Sequence, residues 1–159
     1  NSTAYIATSV AFDDEMKERV RKHQASRPKE WKTYEIYKDI YKIIKDISEK
    51  HQTVILDCIT LLVNNLMFTD GIDIDNASEE EINELEAYIQ DQIKKLMEEV
   101  KKTDLYFVMV TNEIGLGVVP GYKLGRVYCD FVGRINQMLG KLSDEVYFVV
   151  CGIPTKIKG

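Results

Sequence analysis

Four apolar runs, separated by helical patterns, constrain the fold more than any other feature of this sequence. The runs are TAYIATS (3–9), TVILDCIT (53–60), DLYFVMVTNE (104–113) and DEVYFVVCGIP (144–154). Each is almost continuous in aliphatic and aromatic residues, a pattern typical of strands covered on both faces. We therefore predict four strands of a mainly parallel sheet.

Amphipathic helices are predicted between these strands. Apolar residues recur at helical spacing over residues 36–47, 82–100 and 124–142, and Ser78 with Glu81 can form a capping box before the second stripe. Strands that alternate with such helices indicate an α/β domain with helices flanking the sheet. The length of 159 residues predicts a single domain, residues 1–159.

Charge, hydropathy and cysteine usage exclude several classes of protein. The formal net charge of −5 and a pI near 5.1 argue against a general nucleic-acid-binding protein. No apolar run is long enough to span a membrane, and the chain does not open with a signal-peptide pattern. Cys58, Cys129 and Cys151 have no CxxC spacing, so we expect reduced thiols in a cytoplasmic protein.

Polar residues follow the predicted strands, at the edge where parallel sheets bind ligands. They are Thr8 with Ser9, Asp57, residues 111–113 and residues 152–154. Asp57 ends an apolar strand like a Walker B carboxylate, which holds Mg²⁺ beside a nucleotide, but it could equally cap the next helix. The phosphate-binding motif G-x-x-x-x-G-K-[ST] does not occur in these residues.

The stretch ERVRKHQASRPKEW (18–31) is basic, although the net charge of the whole chain is negative. Residues 17–32 hold seven Arg or Lys and two Glu, and Arg19, Lys22 and His23 are spaced to share one helical face. Arginine binds phosphate oxygens, and histidine can attack phosphorus or act as a general acid–base. The alternative is a solvated basic face with an incidental histidine.

Other polar residues have structural explanations. Glu35 lies close to a predicted helix start and reads as a surface carboxylate, and His51 precedes a strand where it would help to cap a helix. Cys58 is expected to be a small core residue. By contrast, the apolar, glycine-containing loop after Thr111-Asn112-Glu113, with sequence IGLGVVP, favours a functional or interface role. Asn136, in an apolar helix, would need hydrogen-bond partners if buried.

Six segments resemble, in order, one known family. They are YIATS, DDEMKERVRKHQASRPKEWKTYE, ILDCITLLVNNL, VTNEIGLGVVP, DFVGRINQMLG and DEVYFVVCGIPTKIK. Together they are similar to the bifunctional adenosylcobinamide kinase / adenosylcobinamide-phosphate guanylyltransferase family of cobalamin biosynthesis. The resemblance covers nearly the whole chain, and its most specific part is the combination of R-x-x-x-H-x-x-x-R-P-x-x-W with TNEIGLGVVP.

The resemblance implies a RecA-like P-loop fold and two reactions. The first phosphorylates adenosylcobinamide from ATP or GTP, and the second transfers GMP from GTP to the product, giving adenosylcobinamide-GDP. It implies that His23 is guanylylated on the way, that Mg²⁺ is required, and that the enzyme is a cytoplasmic homotrimer. No nucleic-acid partner is expected.

The same resemblance implies the nucleotide-binding residues. They are Ala7, Thr8, Ser9, Gln24, Ala25, Ser26, Arg27, Glu35 and Asp57. Asp57 would lie near the metal, directly or through water. Glu35 would face the guanine edge, where two donors lie side by side.

The chain departs from the family in two ways. Family members begin with a strand, a glycine-rich P-loop and a helix before the YIATS segment, and Cys129 stands where the family often has arginine. We therefore expect an upstream strand–P-loop–helix that is missing from this sequence. The alternative that these departures favour is a non-catalytic, P-loop-derived nucleotide-binding or assembly subunit.

Overall fold

A four-stranded parallel sheet lies at the centre of the computed structural model, which describes residues 2–9, 18, 21 and 27–159. Its strands are β1 (Thr3–Ala7), β2 (Lys32–Glu35), β3 (Thr53–Asp57) and β4 (Tyr106–Val110), in the spatial order β2-β1-β3-β4. The last residues of the four strands pair with one another: Ala7 lies between Glu35 and Asp57, and Asp57 pairs with Val110. The sheet therefore has one common carboxyl edge, as predicted.

Helices and 3₁₀ segments connect and cover the strands of this sheet. They are a 3₁₀ helix (Ile40–Ile43), α1 (Ile44–Ser48), α2 (Ile59–Phe68), α3 (Glu79–Val100), a 3₁₀ turn (Ile114–Leu116) and α4 (Lys123–Leu142). Their apolar side chains bury one face of the sheet, where Ala4, Ile6, Val54 and Leu56 lie in the core. A helix layer on a parallel sheet confirms the predicted α/β class.

Helix α3 begins with the predicted capping box. The Glu81 N–H donates to Ser78 Oγ at 3.2 Å, and the Ser78 N–H donates to Glu81 Oε2 at 2.8 Å. Two of the amide groups that a helix start leaves unpaired are thereby satisfied. The Arg134 guanidinium, on α4, makes an ion pair with both carboxylate oxygens of Glu86 and so fixes α4 against α3.

The other face of the sheet is open along β4. Tyr106, Val108 and Val110 are 70%, 36% and 42% exposed, and they alternate with half-buried Phe107 and Met109. Among the described residues, β4 therefore lacks the cover on both faces that the sequence pattern predicts for every strand. Within the described part of the chain β4 is also the last strand of the sheet, so its outer edge has no strand partner there.

The predicted strand 144–154 is instead the first half of a hairpin. β5 (Val146–Val150) and β6 (Ile153–Lys158) pair antiparallel in a separate two-stranded sheet. Cys151 and Gly152 form the turn, both with positive φ (51° and 76°). Residues 152–154 therefore do not end a strand of the parallel sheet, and their predicted place at its carboxyl edge is wrong.

Local structure differs from the sequence prediction at two further places. Glu35 ends strand β2 rather than preceding a helix, since helical structure begins only at Ile40. The chain turns into α2 at Ile59, directly after β3, where a longer strand was predicted. The predicted helical face of Arg19, Lys22 and His23 falls outside the described residues.

Among the helices of the described residues, none is long and apolar enough to cross a membrane.

Candidate nucleotide site

Three of the predicted nucleotide-binding residues end adjacent strands. Ala7 ends β1, Glu35 ends β2 and Asp57 ends β3, and the pairing register places Ala7 directly between the other two. Ser9 follows β1 beyond this edge and is half-buried. Because parallel α/β sheets bind ligands beyond this edge, the geometry gives these residues one shared surface.

Thr8, at the same edge, uses its hydroxyl, N–H and carbonyl groups in hydrogen bonds inside the protein. Its hydroxyl donates to the Cys58 carbonyl at 2.7 Å and accepts from the Cys58 N–H at 2.9 Å. Its own N–H donates to the Asp57 carbonyl, and its carbonyl accepts from the Asn65 amide at 2.6 Å. The side chain is 0% exposed, so it holds the chain turn that follows Asp57.

The Asp57 carboxylate accepts a hydrogen bond from Tyr5. The Tyr5 hydroxyl, one strand away on β1, donates to Oδ2 of Asp57. Burial of Tyr5, reinforced by this hydrogen bond and by the charge of Asp57, raises the pKa of Tyr5 to about 12. Tyr5 therefore stays a protonated donor well above neutral pH, and its hydrogen bond orients the Asp57 carboxylate.

Arg27 lies against the same tyrosine. Its Cζ atom is 3.6 Å from the centroid of the Tyr5 ring, a cation–π contact, and Trp31 stacks on Tyr5 with centroids 6.2 Å apart. Nη1 of Arg27 is buried and has no hydrogen-bond partner in the part of the chain that the structure describes. A buried guanidinium N–H without an acceptor is costly, and an anionic ligand would relieve it.

Tyr5 and Trp31 were not predicted as site residues. Tyr5 is one of several aromatic residues in apolar strands, and nothing in the TAYIATS run distinguishes it. Trp31 belongs to the R-P-x-x-W motif, which was the available signal. Only the structure shows that Tyr5 contacts both Arg27 and Asp57 and that Trp31 stacks on Tyr5.

The residues at this edge fit Mg²⁺ only together with a nucleotide. The described residues contain no group of three or more His, Cys, Asp or Glu side chains arranged to hold a metal ion. Mg²⁺ beside nucleotides typically takes one or two carboxylates, water and phosphate oxygens. Asp57 can supply the single carboxylate, because Tyr5 engages only Oδ2.

A second polar cluster follows β4. Asn136, on α4, accepts from the Thr111 hydroxyl at 2.6 Å and donates to the Asn112 carbonyl and to Glu113 Oε1 at 3.0 and 3.1 Å. Asn112 in turn donates to the Thr60 hydroxyl at 2.8 Å. Asn136 therefore has the partners that were expected, and it ties α4 to the Thr-Asn-Glu segment.

Of the remaining candidates, His51 and Cys58 have structural contacts, and four others fall outside the described residues. His51 is at the opposite end of the sheet, with Nδ1 3.1 Å from Ser2 Oγ and Nε2 3.3 Å from the Tyr34 hydroxyl. Cys58 is buried beside Thr60, which confirms its predicted place in the core. His23, Gln24, Ala25 and Ser26 lie outside the described residues, so their predicted roles stay predictions.

The sequence matches the family described as cobinamide kinase / cobinamide phosphate guanyltransferase (CobU) over residues 1–157. The chain belongs to this family. Members of the cobinamide kinase / guanyltransferase family are enzymes with both activities in one chain. The parallel sheet with its helix layer is consistent with the RecA-like P-loop fold that the resemblance implies.

Similar proteins support this membership. The chain is 38% identical over 154 residues to the bifunctional adenosylcobalamin biosynthesis protein CobU of Escherichia coli, covering 97% of this chain and 84% of that protein. The identity to CobU of Salmonella typhimurium is also 38%, with the same coverage. The bifunctional adenosylcobalamin biosynthesis protein CobP of Pseudomonas aeruginosa is 31% identical over 158 residues, which is 99% of this chain and 83% of that protein.

Proposed function

We propose that this protein phosphorylates adenosylcobinamide and then transfers GMP from GTP to adenosylcobinamide phosphate. The single observation that carries the proposal is the grouping of Asp57, Glu35 and Ala7 at one sheet edge, with Arg27 on the ring of Tyr5 that also contacts Asp57. Nη1 of Arg27 is buried and has no hydrogen-bond partner among the described residues. Family membership supports the same two reactions.

The guanylyl transfer proceeds in two steps through His23. A ring nitrogen of His23 attacks the α-phosphorus of GTP, forming a P–N bond while the bond to pyrophosphate breaks. A phosphate oxygen of adenosylcobinamide phosphate then attacks the same phosphorus, and the P–N bond breaks to regenerate the histidine. The covalent intermediate divides one difficult transfer into two easier displacements.

The residues at the sheet edge bind and orient the nucleotide. Arg27 neutralises phosphate charge with a guanidinium held on the Tyr5 ring, and Ser9 lies at the same sheet edge. We also assign Gln24, Ala25 and Ser26 to nucleotide binding, as the family resemblance implies. Glu35 accepts hydrogen bonds from the N1–H and the exocyclic amino group of guanine. Mg²⁺, when bound at Asp57 together with the phosphates, supplies positive charge that stabilises the displaced pyrophosphate.

The kinase step needs a phosphate-binding loop, which we assign to an upstream strand–P-loop–helix. The uncovered apolar face of β4, formed by Tyr106, Val108 and Val110, supports this assignment, because parallel sheets are normally covered on both faces. The outer edge of β4 offers the backbone groups for another strand. Either ATP or GTP serves as phosphate donor in this proposal.

The apolar loop after β4 supports a subunit interface. Leu116, Val118 and Val119 are largely exposed, Val118 at 95%, although they are the residues that an isolated domain would bury. This is the surface through which we propose that the protein forms a homotrimer. The proposed location of the enzyme is the cytoplasm.

A product assay tests the proposed function. The full-length protein is incubated with adenosylcobinamide, Mg²⁺ and either ATP alone or ATP with GTP, and the corrinoid products are identified by mass spectrometry. We expect adenosylcobinamide phosphate in the first reaction and adenosylcobinamide-GDP in the second. Nucleotide binding with neither product would instead establish the non-catalytic nucleotide-binding subunit.

A further inference from the structure

Tyr5 contacts both charged groups of the candidate site. Its hydroxyl donates to Oδ2 of Asp57, and the face of its ring lies 3.6 Å from Cζ of Arg27. The side chain is only 6% exposed, and Trp31 stacks on it with an interplanar angle of 24°. A half-buried carboxylate therefore contacts the same tyrosine as a guanidinium whose buried Nη1 has no hydrogen-bond partner among the described residues.

The two contacts fix different degrees of freedom. A hydrogen bond to one oxygen of a carboxylate stops its rotation about the last side-chain bond and keeps the other oxygen available to a ligand. A cation–π contact holds the plane of the guanidinium while leaving its N–H groups able to donate. Tyr5 therefore sets where both groups point while it leaves Oδ1 of Asp57 and Nη1 of Arg27 for a ligand.

We infer that Tyr5 is a positioning residue that holds Asp57 and Arg27 in register for binding of the metal–nucleotide complex. The inference rests on the proposed function, in which Asp57 meets the metal and Arg27 meets a phosphate. In this inference the Tyr5 hydroxyl positions Asp57 for the metal, and the Tyr5 ring positions Arg27 for a phosphate.

The chain contains its own reporter for this cluster. Trp31 is the only tryptophan of the sequence, and it stacks directly on Tyr5. Intrinsic fluorescence therefore originates beside the candidate site, and ligand binding at Arg27 should change it. Calorimetry on the same samples gives the affinities independently of the fluorescence amplitude.

The experiment compares Tyr5→Phe and Tyr5→Leu with the unmodified full-length protein. Each protein is titrated with GTP in excess EDTA, and then with Mg²⁺ at fixed GTP. Tyr5→Phe keeps the ring, so its Mg²⁺-free GTP affinity should stay within about twofold while the Mg²⁺ concentration for half-saturation rises about tenfold, the effect of losing a hydrogen bond to a charged group. Tyr5→Leu should in addition weaken Mg²⁺-free GTP binding several-fold.

Tyr34→Phe is the matched control. It also removes a phenol hydroxyl from the sheet, but that hydroxyl faces His51 at the opposite end, so both affinities should be unchanged. Thermal unfolding of every variant shows whether the fold is intact, and Tyr5→Phe retains the packing of the ring. A purely structural role of Tyr5 would not separate Mg²⁺ dependence from Mg²⁺-free affinity.

Two outcomes overturn the inference in distinguishable ways. If the unmodified protein binds GTP and Tyr5→Phe shows the same Mg²⁺ dependence, Tyr5 does not position Asp57, although the proposed function stands. If the unmodified protein does not bind GTP at all, the proposed function fails and this inference fails with it.

Discussion

Thr8 and Cys58 exchange two hydrogen bonds across the end of the sheet. The Cys58 N–H donates to the Thr8 hydroxyl oxygen at 2.9 Å, and that hydroxyl donates to the Cys58 carbonyl at 2.7 Å. Both residues are buried, and Cys58 directly follows Asp57. The chain turn that presents Asp57 is therefore fastened to strand β1 through one side chain.

Replacing Thr8 by valine should destabilise the protein and displace this turn. Valine has nearly the shape of threonine but leaves the buried Cys58 N–H without an acceptor, at a cost of about 1–3 kcal/mol, while the Cys58 carbonyl keeps the hydrogen bond from the Leu62 N–H. Urea unfolding measures the loss. Thr8→Ser keeps the hydroxyl and should lose less stability than Thr8→Val, and equal losses would show that the hydrogen bonds contribute little.

Replacing Asp57 by asparagine should strongly slow Mg²⁺-dependent GMP attachment. Asparagine can still accept the hydrogen bond from Tyr5, so the geometry is kept and only the negative charge is lost. We expect a rate lower by roughly two orders of magnitude, the size seen when one electrostatic contribution is removed from a preorganised site. Asp104→Asn, near the amino ends of the strands, is the control. A normal rate of Asp57→Asn at limiting Mg²⁺ would show that Asp57 has only a structural role.

The common carboxyl edge could be predicted because apolar strands followed by polar residues leave a clear pattern. Thr8, Ser9 and Asp57 all lie where that pattern placed them. The α3 capping box could also be predicted, because Ser78 and Glu81 have the required spacing. These features depend on local sequence alone.

The features that the sequence did not predict leave little or no local sequence pattern. Strand β2 is only four residues long and partly exposed, so its Lys-Thr-Tyr-Glu sequence carries little strand signal. The β5–β6 turn uses Cys151 and Gly152 instead of the usual Asn-Gly or Asp-Gly pair. The Tyr5 contacts join residues 52 positions apart, and Arg27 reaches the same ring from outside any strand.

The Ser78–Glu81 capping box gives a prediction for stability and its pH dependence. Ser78→Ala should lower the free energy of unfolding by about 1 kcal/mol, because the Glu81 N–H loses its acceptor. The hydrogen bond from the Ser78 N–H lowers the pKa of Glu81 in the folded state. Its contribution is therefore complete above the unfolded pKa of a glutamate and is lost as pH falls through the lower, folded value.

Urea unfolding at several pH values checks this prediction. Glu81→Gln can keep the capping hydrogen bond while removing the titration, so it should flatten the acid dependence of stability. A steep loss of stability in acid that is identical in Glu81→Gln and the unmodified protein would contradict the assignment.

Replacing Asn136 by aspartate should detach α4 from the Thr-Asn-Glu segment. The amide group that donates to the Asn112 carbonyl and to Glu113 would become an oxygen facing two other oxygens. We expect a loss of about 1 kcal/mol or more at neutral pH, measured by urea unfolding. Gln137→Glu adds the same charge at the next, exposed position, and it should change stability much less. Equal effects would indicate a general charge effect on α4.

The central claim is that His23 carries GMP between GTP and the corrinoid phosphate. Its most direct test is the intact mass of the full-length protein after incubation with GTP and Mg²⁺. His51, the only other histidine, contacts Ser2 and Tyr34 at the far end of the sheet, so His51→Ala is a matched control. We predict an acid-labile, base-stable adduct of GMP mass on the unmodified protein and on His51→Ala, and none on His23→Ala. An adduct that persists on His23→Ala would contradict the account.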